Sequence, residues 1–132
     1  MTNIYLAANL SPYVAEALNL LNRKDFDKFR VYSTIDMFGE DAEDEDIIPV
    51  IGKENGILIT KDYRLKISFQ YELCKQHNLG MFFFKPEEKH LKHWDIVRLL
   101  IKNWEEMMSI IETKQRPFAY YLYSRRKIKE FK

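Results

Sequence analysis

Short apolar runs alternate with stretches of helical periodicity along the 132 residues of this chain. Runs bounded by charges, glycine or proline are typical of buried strands, and here they occupy residues 4–8, 30–34, 56–62 and 81–84. Apolar residues recur at helical spacing in residues 12–23, 66–77 and 90–113. This alternation predicts one domain over residues 1–132, with an α/β fold built around a mostly parallel central sheet.

Capping residues and prolines indicate where the predicted helices begin. Ser11 is suited to be an N-cap, with Pro12 at the first helical position. A further short helix is expected over residues 47–51. Because proline damages a helix interior, Pro49 should lie within the first turn, which places the N-cap in residues 44–46.

Composition limits the class of protein without selecting one. No apolar run reaches the roughly 18 residues of a membrane span, and the opening residues lack the pattern of a secretory signal. The single cysteine, Cys74, excludes an internal disulfide, favours a reducing cytoplasm and is expected to pack as a small apolar side chain. The net charge is +1, but acidic residues dominate the first 60 positions and basic residues the rest, which permits a nucleic-acid partner.

Acidic residues stand where a parallel sheet binds its ligands. Asp62 follows a strand at its carboxyl end, and Asp44 or Asp46 lies at a helix start, so these carboxylates are candidates to converge on Mg²⁺, which prefers oxygen ligands. The alternative is structural: Asp62 caps the next helix, and the acidic run of residues 40–46 is a solvated loop. The position after the first strand holds Ala7 and not an acid, so the predicted metal site has few acidic ligands.

Several segments, taken in their order and spacing, point to a known family. They are residues 6–12 (LAANLSP), 36–46 (DMFGEDAEDED), 59–62 (ITKD), 81–84 (MFFF), Trp104 and 127–129 (KIK). Together they resemble the PIN-like domain of VapC-type toxins over nearly the whole chain. The resemblance implies a three-layer α/β/α sandwich.

The active members of this family are Mg²⁺- or Mn²⁺-dependent ribonucleases that a cognate antitoxin neutralises. By position, the resemblance implies that Asp44 and Asp62 are catalytic acids and metal ligands and that Asn9 joins them on the metal. Lys61 and Arg64 lie just beyond the strand end and would contact RNA phosphates, with ordinary solvent exposure as the alternative. The resemblance thus implies a cytoplasmic toxin of a type II toxin–antitoxin system that acts on RNA and has no membrane partner. A homodimer is compatible with this assignment.

Ala7 departs from the family pattern, which has an aspartate at that position. Losing one ligand weakens metal binding, so the rival hypothesis is a catalytically degenerate PIN-like module that binds a partner protein or RNA. A receiver domain phosphorylated on aspartate also uses strand-end acids. It needs them after the first strand, however, where this chain has Ala7 and Ala8.

The remaining polar features receive no single assignment. Residues 118–123 alternate weakly and predict an edge strand, and residues 125–132 form a basic tail that would bind RNA, dock an antitoxin or be disordered. His90 and His93 have the spacing of metal ligands, but no third ligand accompanies them, so a polar surface is expected.

Overall fold

Strands and helices alternate along the folded chain as the hydrophobic pattern predicts. The computed structural model describes residues 1–8, 10–61, 67–84, 91–124 and 126–131. Within these residues the strands are β1 (Thr2–Leu6), β2 (Phe29–Ser33), β3 (Ile57–Lys61), β4 (Gly80–Phe84), β5 (Phe118–Leu122) and β6 (Lys129–Glu130). The helices of the same residues are α1 (Pro12–Asp25), α2 (Thr34–Phe38), α3 (Asp44–Lys53), α4 (Ile67–His77) and α5 (His93–Thr113).

The strands named above join one sheet in the order β2-β1-β3-β4-β5-β6. The first five pair in parallel, and β6 runs antiparallel to its neighbour β5. β1 has β2 on one side and β3 on the other, so the strand order reverses between β1 and β3. In open parallel sheets such a reversal opens a ligand-binding crevice beside the carboxyl ends of the two strands.

Two apolar cores pack on opposite faces of the sheet because successive side chains of a strand alternate. In β4, Phe82 joins the core beneath α1 and α5, while Phe83 joins the core beneath α3 and α4. Trp104 of α5 lies in the first core and donates its indole N–H to Asn22 Oδ1 of α1 over 2.7 Å. Helices therefore cover both faces of the sheet, and the predicted three-layer α/β/α sandwich is confirmed.

The start of α1 follows its capping signals. Ser11 is the N-cap and accepts a hydrogen bond from the N–H of Tyr13 over 3.3 Å, and Pro12 is the first helical residue. The helix predicted over residues 90–113 is α5, which begins at His93 in the described part of the chain. Residues 85–90 lie outside that part.

The start of α3 differs from its prediction in two ways. Glu43 is the N-cap, and Asp44 is already the first helical residue, so the N-cap predicted in residues 44–46 is wrong. Pro49 is therefore the sixth residue of α3 and lies beyond the first turn. It removes only the hydrogen bond to the carbonyl of Glu45, an exposed residue, which limits the cost of the proline. The acids that were expected to cap the helix occupy its first turn, where the helix dipole favours negative charge.

Two short elements were not predicted. α2 follows β2 directly, with Ser33 as its N-cap and the Ser33 hydroxyl accepting from the N–H of Ile35 over 3.2 Å. β6 pairs with β5, so β5 lies between β4 and β6. The prediction that residues 118–123 form an edge strand is therefore wrong: they contain a strand, but β6 covers its outer side.

Cys74 lies in the core beneath α3 and α4, as expected, and its thiol donates to the carbonyl of Leu79 over 3.0 Å. Burial raises the pKa of this thiol to about 12.

We expect Ellman's reagent to leave the Cys74 thiol of the native protein unlabelled at pH 8 and to label it fully in guanidinium chloride. Above about pH 9 the thiol ionises in the unfolded chain while it keeps its proton in the folded protein. The urea concentration at the midpoint of unfolding should therefore decrease as the pH rises from 9 to 12. Native labelling at the unfolded rate would contradict this burial.

Candidate functional site

The carboxyl ends of β1 and β3 are joined at the crevice of the sheet. The backbone N–H of Ala7, directly after β1, donates to the carbonyl of Ile59 in β3 over 2.9 Å. The carbonyl of Ala7 accepts from the N–H of Leu10, also over 2.9 Å, where the chain turns towards α1. The half-buried Ala7 side chain packs against the core beneath α3 and α4. Position 7 therefore faces the layer of helices that carries the acidic segment.

Asp44 reaches the same edge of the sheet because of the direction of α3. α3 ends at Lys53 and β3 begins at Ile57, so the C-terminus of α3 lies near the amino end of β3. A helix of a βαβ unit runs back across the sheet, which carries its N-terminus to the carboxyl edge. Asp44, the first residue of α3, lies half-buried at this edge.

Gln70 of α4 holds the Asp44 carboxylate. Its Nε2 donates to Asp44 Oδ2 over 3.1 Å. Gln70 is only 5% exposed, and its Oε1 has no hydrogen-bond partner among the residues that the structure describes. A buried amide oxygen left unpaired costs about 1–3 kcal/mol, which makes it uncommon in folded proteins. The contact between α3 and α4 thus joins the Asp44 carboxylate to a side-chain amide whose oxygen is unsatisfied.

Sequence reasoning missed Gln70, although the helical pattern carries a signal for it. Gln70 precedes Cys74 by four residues, so the two share one face of α4, and Cys74 is buried. A glutamine on the core-facing side of a helix has to find partners for its amide inside the protein. An acid at the start of a neighbouring helix is a suitable acceptor, and Asp44 is that acid.

Most of the other predicted site residues lie outside the described residues. They are Asn9, Asp62 and Arg64, together with the side chain of Lys61. The backbone of Lys61 is described as the last residue of β3, so Asp62 follows this strand directly along the chain. The pairing of Asp62 with Asp44 stays a prediction.

The described residues offer oxygen ligands that suit a hard cation, but few of them. Asp44 supplies one carboxylate and Gln70 a neutral amide oxygen, and Mg²⁺ and Mn²⁺ accept both kinds of ligand. Asp41 and Asp46 of the acidic segment are exposed. No group of three histidine, cysteine, aspartate or glutamate side chains that could hold a metal occurs among the described residues. A metal at this edge would therefore depend on neutral oxygen ligands or on residues outside the described ranges.

The end of the basic tail belongs to the fold. Lys129–Glu130 pair with β5, and the ring of Phe131 lies against the rings of Tyr71 and Tyr121 at centroid distances of 4.4 and 5.1 Å. Tyr120 is buried and is therefore closed to stacking with RNA bases. The earlier part of the described tail also contacts the fold, since the carbonyl of Arg126 accepts from Lys102 Nζ over 3.4 Å and Ile128 packs against the core beneath α1 and α5.

An apolar groove of about 230 Å³ lies between α1 and α5. Two of its aromatic side chains are strongly exposed, Tyr13 at 77% and Trp94 at 65%. His93 also lines the groove, with its ring edge against Trp94 at a centroid distance of 5.3 Å, and it is exposed as expected for a polar surface. His90 lies outside the described residues.

A family model described as a PIN like domain matches residues 2–86 of the chain. The match includes β1 to β4 and therefore both strand ends of the crevice, together with Ala7, Asp44 and Gln70. No curated protein and no solved structure matches the chain. Along the described residues, no helix combines the length and hydropathy that a membrane span requires. Since the matched segment covers more than half of the sequence, the chain belongs to the PIN-like domain family.

Proposed function

We propose that this PIN-like protein is a metal-dependent endoribonuclease toxin of a type II toxin–antitoxin system, weakened by the alanine at position 7. The observation that carries the proposal is the contact between Asp44 and Gln70 at the carboxyl edge of β1 and β3, where open parallel sheets bind ligands. Membership of the PIN-like family supports a nuclease-type module. The order of the site segments, which resembles VapC-type toxins, supports the toxin role.

Mg²⁺ or Mn²⁺ is the proposed cofactor, which would neutralise phosphate charge and supply an activated water when bound. Asp44 would hold the ion through its carboxylate. Gln70 fixes the orientation of that carboxylate by the 3.1 Å hydrogen bond from its amide. The remaining proposed contacts are Asp62 and Asn9 with the ion, and Lys61 and Arg64 with RNA phosphates.

A catalytically degenerate PIN-like module is the second candidate, and Ala7 is the observation that favours it. The side chain of Ala7 faces the layer of Asp44 but offers no oxygen to an ion. Such a module would keep the crevice as a binding surface for RNA or a partner protein without cleaving a phosphodiester. The two candidates therefore differ in chemistry and share the same site.

A cognate antitoxin is the proposed protein partner, and the cytoplasm is the proposed location. The resemblance to toxins supports the partner, and the groove between α1 and α5 is one described surface that offers it apolar side chains. Cys74 forms no disulfide, which supports a reducing compartment. A second copy of this chain is the competing occupant of the groove, and the solution mass of the isolated protein distinguishes the two.

Divalent-dependent cleavage of RNA tests the proposed activity. We expect the full chain to cleave single-stranded RNA with Mn²⁺ or Mg²⁺ and to be inactive in EDTA. Asp44→Ala and Asp62→Ala should each lower the initial rate on a fluorescently labelled RNA by at least about tenfold, because each removes an oxygen ligand. Asp46→Ala is the matched control, since Asp46 is exposed in the same helical turn as Asp44.

Two outcomes would contradict the metallonuclease: cleavage that persists in EDTA, and cleavage that persists in Asp62→Ala. RNA binding without cleavage in any divalent ion would instead support the degenerate module. An equal loss of activity in Asp46→Ala would show that general negative charge, and not the position of Asp44, governs the rate.

A further inference from the structure

Gln70 combines properties that a purely structural glutamine rarely has. It is buried, its Nε2 donates to Asp44 Oδ2 over 3.1 Å, and Oε1 of the same amide has no partner within the described part of the chain. A glutamine that served only to hold Asp44 would leave its oxygen buried and unpaired, which folded proteins normally avoid. The unpaired oxygen belongs to the same amide whose nitrogen holds the Asp44 carboxylate, and this points to a ligand for the pair of side chains.

The separation of the two side chains suits a shared cation. Mg²⁺ binds its ligands at about 2.1 Å in octahedral geometry, so two adjacent ligand atoms are about 3 Å apart. The 3.1 Å between Gln70 Nε2 and Asp44 Oδ2 matches that spacing. A half-turn of the amide about its terminal torsion exchanges Oε1 and Nε2, which are nearly equal in shape. Oε1 would then lie beside Asp44 Oδ2, and a cation between the two oxygens would make their contact favourable.

We propose that Gln70 is itself a ligand of the divalent ion and replaces the acid that position 7 lacks. Without the ion, the amide N–H of Gln70 satisfies the Asp44 carboxylate. With the ion, the amide turns and binds through Oε1. The inference rests on the proposed metal site. It adds to that site a neutral ligand from α4, Gln70, which the resemblance to VapC-type toxins does not include.

Two substitutions at position 70 separate a ligand from a structural contact. Gln70→Leu keeps an apolar volume in the core and removes the amide. Gln70→Glu keeps the shape and supplies a charged oxygen, which should strengthen a metal site. Two adjacent carboxylates attract a divalent ion by themselves, so tighter binding by Gln70→Glu supports the ligand role only together with weaker binding by Gln70→Leu.

Mn²⁺ binding to the full chain provides the test, measured by isothermal titration calorimetry and by the electron paramagnetic resonance signal of free Mn²⁺. We expect Gln70→Leu to weaken binding by at least about tenfold and Gln70→Glu to tighten it by about tenfold. Gln70→Glu should melt below the wild type in EDTA and show a larger rise of melting temperature with Mn²⁺. Gln76→Leu, at an exposed position of the same helix, should bind Mn²⁺ as the wild type does.

Wild-type affinity in Gln70→Leu, or weaker binding in Gln70→Glu, would overturn the ligand role. Asp44→Asn separates this failure from that of the proposed function. If Asp44→Asn abolishes Mn²⁺ binding and Gln70→Leu leaves it intact, the metal site stands without Gln70. If neither the wild type nor Gln70→Glu binds Mn²⁺, both proposals fail. A wild type that does not bind Mn²⁺ would overturn the inference even if Gln70→Glu binds the ion, because the new carboxylate would then have created the site. Where Gln70→Leu does not fold, Gln70→Met keeps the length of the side chain without the amide and replaces it in the comparison.

Discussion

Ala7→Asp is expected to tighten Mn²⁺ binding by about 100-fold, because even residues behind metal ligands change affinity by 10–100-fold. The backbone of Ala7 is tied to the end of β3 by the 2.9 Å hydrogen bond to the Ile59 carbonyl. Its side chain faces the helical layer that holds Asp44. A carboxylate at position 7 would add an oxygen ligand and a negative charge to a site with one described acid. Calorimetric titration with Mn²⁺ measures the gain, and RNA cleavage in the same buffer shows whether activity follows.

Ala8→Asp is the matched control for this gain, since Ala8 is the next residue along the chain and is exposed. An aspartate there adds the same charge outside the layer that carries Asp44, so little change in affinity is expected. Equal gains in both variants would mean that added charge alone attracts the ion. No gain in Ala7→Asp would contradict a metal centre at the ends of β1 and β3.

The long elements of the fold were predictable because each carries its own pattern over many residues. α5 repeats its apolar face for several turns, and the uninterrupted apolar run of β4 requires burial on both faces, as Phe82 and Phe83 show. β6 has two residues and no periodicity, so only its pairing with β5 defines it. α2 is nearly as short, although its cap, Ser33, was a signal that could have been used.

The candidate site was predictable in part, for a related reason. The helix start left Asp44 and Asp46 as alternatives, and the resemblance to the family selected Asp44. Its partner Gln70 is separated from it by 26 positions, and their contact depends on how α3 packs against α4. No local pattern specifies that packing. The only sequence signal is a polar amide on the buried face of a helix, which indicates that a partner exists without identifying it.

The packing of α3 against α4 leads to the second large expected effect. Gly52→Ala should lower the free energy of unfolding by about 2 kcal/mol, although alanine is the better helix former. In an exposed helix interior the same change stabilises by about 1 kcal/mol. At position 52, a Cβ would meet the carbonyl oxygen of His77 in α4 and lie 3.0 Å from the His77 Cβ. Because a backbone carbonyl cannot rotate aside, the two helices would have to move apart, and urea denaturation measures the cost.

Lys53→Ala is the control for Gly52→Ala, since Lys53 is exposed beside it in α3 and should change stability by no more than about 0.5 kcal/mol. The separation of the helices would also reach the candidate site, because Asp44 and Gln70 join the N-terminal ends of α3 and α4. Mn²⁺ affinity should therefore fall together with stability in Gly52→Ala and remain unchanged in Lys53→Ala. A stabilised Gly52→Ala would show that α3 and α4 accept a Cβ between them, so that their close approach does not set the distance from Asp44 to Gln70.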